Sequence, residues 1–470
     1  MSKDEIWRWS AAELSTRIAS REVSAREATL SAMHRLEQVN GHLNAVVATL
    51  GDEALEAADQ ADALLDRGIR IGPLHGIPVT TKINVDQKGC ATSNGVVAYG
   101  RQMALEDSPP VANWRQAGAI IFGRTNTPAF SWRWFTDNDL HGRTLNPWDG
   151  RLTPGGSSGG SAASVAAGIG QLAHANDLGG SIRYPAYCCG VPGIRPTIGR
   201  VPAFNPSAEA DRPFSAQLFG AQGVIARSVR DVRLGLLPMA HGDHRDPLWV
   251  PAPWSFPDAE PVRRVALFAP LPQECDVEVL AALDDAERVL AHSGYVVERK
   301  APPSFEECAT LWQTLVINEV RQAMFPEIEK LGDETIRVVA RTMGAISPEV
   351  DLEGFSAAWM RRNSLLRAWQ QFLRDYPVIV MPVSLKKPMW QDADQVGEEG
   401  MSAVLRAQSP LLALVPLGLP ALVVPMGMRG GAPSGVQVVA SRFREDLCFE
   451  VGEHLETAFP CTMAMDSVKG

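Results

Sequence analysis

Two short segments gather hydroxyls and glycines in a way that suits acyl transfer. Residues 154–161 read PGGSSGGS and residues 176–186 read NDLGGSIRYPA, with an alanine-rich, helix-prone stretch at 161–168 between them. Two glycine-rich turns bracketing one helix bring uncovered backbone N–H groups together, because glycine permits close approach and hides no donor. Ser181 follows two glycines, so its hydroxyl can be presented openly. The amides of Leu178, Gly179, Gly180 and Ser181 can cradle the charge that forms on a carbonyl oxygen under attack. Each such donor is worth about 3–4 kcal/mol at the barrier. The proton acceptor is less evident. Of the nine histidines only His174 lies near either loop, which leaves lysine as the alternative.

Two other readings of the same residues fit less well. Glycine–serine composition also describes a flexible linker, but a linker has no reason to be followed by a helix and a second glycine loop. Residues 155–159 match G-x-S-x-G, the elbow that would make Ser157 a nucleophile served by an Asp and a His further along. That elbow should follow a buried strand directly, whereas RLTPGG precedes it, and His241, His244, His292 and His454 have no supporting context.

Taken in order, GIPVTTKINVD (76–86), TNTPAF (125–130), RTLNPWD (143–149), TPGGSSGGSAASVAAG (153–168), NDLGGSIRYPAYCCGVPGIRPT (176–197), GLPALVVPMG (418–427) and GVQVV (435–439) resemble the amidase signature family. The resemblance covers nearly the whole chain apart from the 230–370 stretch. It implies Lys82 as base, Ser157 as a bridging serine after a cis peptide bond, and Ser181 as nucleophile. On its own Lys82 would be read as a surface lysine. As base it must be uncharged, so burial must lower its pKa. The resemblance further implies that Ser158, Asp177 and Arg183 hold the two loops together by hydrogen bonds. The chain departs from the family pattern at Ile83, where Asp is common, and at Asn176, where Thr or Ser is usual. Trp132, Trp134 and Phe135 in SWRWF are candidates for the substrate pocket, with core packing as their other fate.

The implied reaction is hydrolysis of a small-molecule aryl or alkyl amide, a C–N bond outside peptides, by a Ser-Ser-Lys triad and an acyl-enzyme. Indoleacetamide-like and nylon-oligomer-type amides are the substrates the family suggests. Neither a cofactor nor a metal is expected, the two histidines of HGDH (241–244) being read as solvated. Three alternatives stay open: a glutamine amidohydrolase subunit of a tRNA-dependent amidotransferase, a carbamate or ester hydrolase, and a catalytically dead scaffold of the same fold.

The elements that must position these groups are legible in part. Ser10 with Glu13 and Ser24 with Glu27 are capping-box patterns, each opening a helix, the second helix ending near Asn40. A strand over 77–82 would carry Lys82 at its end, and further strands are predicted near 118–126, 264–268, 295–299, 378–383 and 421–426. Helices are predicted over 108–117, 277–292 and 445–455. This alternation predicts an α/β fold, a central mixed sheet with helices on both faces, in one domain over 1–470. Within it 72–205 is the signature core and 230–370 a variable helical cap.

Composition narrows the partners. A formal net charge of −10 over 470 residues argues against nucleic acid. Seven cysteines without a CxxC pair read as reduced thiols, Cys188 and Cys189 among them as structural. With no leader pattern at the start, the cytoplasm is the expected compartment. The longest apolar stretch, residues 411–424, is interrupted by Pro416, Gly418 and Pro420, so no membrane association is expected. A homodimer is left open.

Overall fold

In the computed structural model, which describes residues 3–256, 262–461 and 464, eleven strands form one mixed sheet. In chain order they are β1 (Val46–Thr49), β2 (Pro78–Lys82), β3 (Ile120–Thr125), β4 (Leu172–Asp177), β5 (Gly193–Arg195), β6 (Ala221–Ala226), β7 (Arg264–Leu267), β8 (Val296–Arg299), β9 (Val378–Pro382), β10 (Ala421–Arg429) and β11 (Ala432–Ala440). Across the sheet they run β1-β3-β2-β4-β6-β5-β10-β11-β9-β7-β8. The pairs β2–β3, β2–β4, β7–β8 and β7–β9 are parallel and the rest antiparallel.

Both faces of the sheet are covered, and the strand period shows how. Phe122, Ala173 and Ile225 enter one apolar cluster, while their neighbours Ile121, Leu172 and Val224 enter a second on the opposite face. A strand buried on both sides reads as a continuous apolar run, as Val378–Pro382 does.

Local irregularities then aim the side chains that matter. The β2–β3 register skips one residue of β3 between Val79 and Thr80, leaving Phe122 without a partner and placing Lys82 opposite Thr125. Lys82, Thr125 and Asn176 thus sit at or beside the carboxyl ends of three neighbouring parallel strands, where α/β sheets hold their ligands.

The Ser24–Glu27 box forms in both directions, at 2.9 and 3.0 Å. At Ser10 only the forward bond forms, from Glu13 N at 3.0 Å. There Glu13 turns its carboxylate to Arg17, and Asp231 accepts from the amides of Ala11 and Ala12. The second helix, Ala25–Leu43, runs past Asn40 and ends at Asn44 in a left-handed conformation. The stretch 230–370 divides in two. Its first part adds β7, the helix Val277–His292 and β8 to the sheet edge, and its second part is helical from Phe305 to Asp375. Among the described residues no helix is long and apolar enough to cross a membrane.

The helix Gly159–Ala166 is buried at every position and lies close to the backbone of its neighbours. A Cβ at Gly160 would meet Asn126 N at 2.4 Å and Ala45 O at 2.6 Å, atoms that themselves pair across the sheet. Gly160→Ala should therefore destabilise the protein by about 1–3 kcal/mol. Gly41→Ala, at an exposed helical position with open space around it, should stabilise it by about 0.5–1 kcal/mol. Urea midpoints of the two variants measure this contrast.

Candidate active site

β2 ends by delivering Lys82 into the interior, where none of its side chain reaches solvent. Its Nζ lies 2.7 Å from Ser157 Oγ and 2.9 Å from Asn176 Oδ1. Ser157 follows a cis peptide bond from Gly156 and is itself buried. Asn176 and Asn84 exchange amide hydrogen bonds at 2.9 and 3.2 Å, and Asn84 Nδ2 donates to Ser131 Oγ at 2.9 Å. Among the described residues the lysine amine is therefore held by neutral oxygens alone.

The loop after β4 is organised around the Asp177 carboxylate. It accepts from the amides of Gly180 (2.8 Å) and Ile182 (3.2 Å), and from Arg183 Nε and Nη2 (3.0 and 3.1 Å). Arg195 Nε stands 3.7 Å away on the other side. Burial pushes the Asp177 carboxyl up, but Arg183, Arg195 and these bonds outweigh it and bring it to about 2. Ser158 joins the two loops, its amide donating to Ser181 O at 3.2 Å and its hydroxyl to Asn176 O at 3.4 Å.

This geometry alters one sequence expectation. Gly180 was expected in the donor cradle, but its N–H already points at Asp177. Among the described residues the amides of Leu178, Gly179 and Ser181 have no acceptor, so three donors remain of four. The hydroxyl of Ser181 opens on the same cavity as Ser157, yet no hydrogen bond joins the two hydroxyls among the described residues.

That cavity is about 410 Å³ and is walled by Phe130, Trp132, Trp134, Trp312, Met324 and Met343. Trp132 and Trp134 line it as expected for pocket residues, whereas Phe135 does not. Phe135 is fully buried in the apolar cluster with the Arg133 guanidinium over its ring, which makes it a core residue. Among the described residues no histidine lines the cavity, so the elbow reading has no base to offer Ser157. His174 faces Trp114 and bonds Gln222 Oε1 at 2.9 Å. Burial lowers its pKa to about 3, so it is neutral.

Burial also acts on Lys82. Loss of hydration pushes its pKa well below 10.5, against an opposing pull from Asp177. Asn84 and Trp312 are site residues that sequence reasoning missed. Asn84 stands two residues beyond Lys82, in the turn that follows β2. Trp312 comes from the helical stretch, where no motif points to it.

Comparison with known proteins places this site in company. A family model described as Amidase matches residues 27–449. An indoleacetamide hydrolase of Bradyrhizobium diazoefficiens is 43% identical over 457 residues, covering 97% of this chain and 87% of the relative. An acylamidase of Rhodococcus erythropolis is 31% identical over 483 residues, covering 98% and 97%. A bacterial aryl acylamidase, described as one of the amidase signature enzymes, superposes with a TM-score of 0.83 at 25% identity, covering 97% of this chain and 98% of its own.

Burying an amine without a counter-charge has a thermodynamic signature. The unfolded lysine ionises near 10.5 and the folded one well below, so the unfolded chain holds more protons in that window and stability rises with pH there. Lys82→Met removes this handicap. At any pH between the folded value and 10.5 it should stabilise the protein by about 1.4 kcal/mol for each unit by which pH lies below 10.5. The gain should shrink towards zero as pH approaches 10.5, as read from urea midpoints over a pH series.

Proposed function

The chain belongs to the amidase signature family, and from that premise we propose that Ser181 is its nucleophile, Ser157 its bridging hydroxyl and Lys82 its terminal base. It is an amidohydrolase that cleaves the C–N bond of a carboxamide. The observation that carries the assignment is the 2.7 Å contact between the buried Lys82 amine and the Ser157 hydroxyl at the wall of the aromatic cavity.

The chemistry follows from the protonation states. A neutral Lys82 has a lone pair for the Ser157 proton, and Ser157 in turn takes the proton of Ser181. Closing the relay needs Ser181 Oγ to turn towards Ser157, a side-chain rotation within the loop that Ser158 already joins. As Ser181 Oγ bonds the amide carbon, the carbonyl electron pair moves to oxygen, where the amides of Leu178, Gly179 and Ser181 receive it. Lys82 then returns its proton through Ser157 to the leaving nitrogen, and ammonia or an amine departs. Water then bonds the acyl carbon while its proton passes through Ser157 to Lys82, and the second adduct collapses by breaking the Ser181 Oγ–C bond, the proton returning through Ser157 to Ser181 as the carboxylic acid leaves. Residues 72–205 supply this machinery, and the helices from Phe305 onward supply part of the pocket wall.

The substrate this reading favours is a primary amide carrying a flat aromatic group one or two carbons from the carbonyl, with indole-3-acetamide first in line. A cavity of about 410 Å³ walled by three tryptophans and two methionines suits a bicyclic ring, and the 43% identical relative is an indoleacetamide hydrolase.

A fluorophosphonate probe should label the wild-type chain and not Ser181→Ala, and ammonia release from indole-3-acetamide should exceed that from a short alkyl amide. Lys82→Ala should lower kcat by about 10²–10⁴-fold with the fold retained. Labelling that persists in Ser181→Ala, or turnover untouched by loss of Lys82, would remove the assignment.

A further inference from the structure

Behind the donor cradle stand two indole rings whose N–H groups both point at its backbone. Trp312 Nε1 donates to Leu178 O at 2.8 Å, and Trp134 Nε1 donates to Gly179 O at 2.8 Å. The rings are packed on each other, with centroids 6.3 Å apart, and Trp132 stacks on Trp312 at 6.3 Å and 18°.

Each of these bonds fixes a whole peptide unit. A trans peptide is planar, with its C=O and N–H pointing in opposite directions, so anchoring the oxygen aims the hydrogen. The unit joining Gly179 to Gly180 is held at both ends, its oxygen by Trp134 and its N–H by Asp177. It has no donor left for a substrate. The unit joining Leu178 to Gly179 is held only at its oxygen, by Trp312, and its N–H has no acceptor among the described residues. Trp312 also packs directly on Gly179, where an added Cβ would come within 3.0 Å of the indole ring. The Trp312 helix passes straight into a π-helical turn, Gln313–Ile317, a local irregularity that often marks functional sites.

We propose that Trp312 is the positioning residue for the Gly179 oxyanion donor, acting through its hydrogen bond to Leu178 O. The inference rests on the reading of the 178–181 loop as the cradle. It adds a residue from the variable helical stretch to the machinery of the signature core.

Trp312→Phe keeps most of the ring and removes the N–H. Removing a whole oxyanion donor costs about 10²–10³-fold in kcat, so misaiming one should cost about 10–100-fold. The loss should fall on kcat, with KM for indole-3-acetamide within about 3-fold, because the donor acts on the developing oxyanion more than on the bound amide. A trifluoromethyl ketone with the same aryl group reports on the donor separately. Its adduct forms an Oγ–C bond with Ser181, places the carbonyl electron pair on oxygen and passes the proton through Ser157 to Lys82. Its affinity should fall in parallel with kcat.

Trp369→Phe serves as the control, since it removes a remote indole bond of the same length, 2.8 Å to Pro303 O, and should leave kcat within about 2-fold. Unchanged kcat in a Trp312→Phe enzyme that still binds the probe would overturn the proposal, as would a fall in kcat without loss of ketone affinity. If the wild-type enzyme itself takes no label at Ser181, the site reading fails instead.

Discussion

A primary amine sealed from water can persist only as a neutral group or beside a committed counter-charge. Lys82 has no such partner. The carboxylate nearest to it in effect, Asp177, is already balanced by Arg183 and Arg195, and the atoms in contact with Nζ are the neutral oxygens of Ser157 and Asn176. Burial thus favours loss of its proton, and in the proposed relay the neutral amine beside the hydroxyl serves as the base. The use of Asp177 as the organiser of the 176–183 loop and the basicity of Lys82 are two sides of one charge arrangement.

The rest of the architecture serves that contact. Parallel strands β2 and β4 bring Lys82 and Asn176 to the same end of the sheet, and the register skip in β3 places Lys82 opposite Thr125. The small side chains of Gly159–Ala166 let the helix that follows Ser157 approach the strands backbone to backbone, which carries the serine down to the amine. Around this rigid centre the pocket is assembled from distant parts of the chain. Trp132 and Trp134 come from the loop after β3, while Trp312, Met324 and Met343 come from the later helices.

Much of this was legible in the sequence, for reasons that differ by residue. Glycine loops around Ser157 and Ser181 announce exposed donors, and the apolar runs at β9 and β10 announce buried strands, because both are local properties. The alternation of helices and strands was enough to predict the mixed sheet with two covered faces. Partner choice was not legible. Nothing in LGGS tells which amide turns back to Asp177, so Gly180 was grouped with its neighbours. SWRWF does not say which aromatic faces inward, and Phe135 proved to be core. Glu13 fits a capping box until Arg17 takes its carboxylate. Trp312 was beyond reach because its bond to Leu178 O forms only where a helix from the 230–370 stretch meets the 178–179 backbone.

The claim that everything depends on is that Lys82 is uncharged when it meets substrate. The pH dependence of kcat/KM in the wild-type enzyme tests it most directly, since this ratio reports ionisations of the free enzyme. The arrangement predicts that activity is lost on the acid side through a single ionisation well below lysine's ordinary 10.5. A profile that climbs only as pH approaches 10.5 would mean that the buried amine keeps its proton, and the proposed relay would have no base.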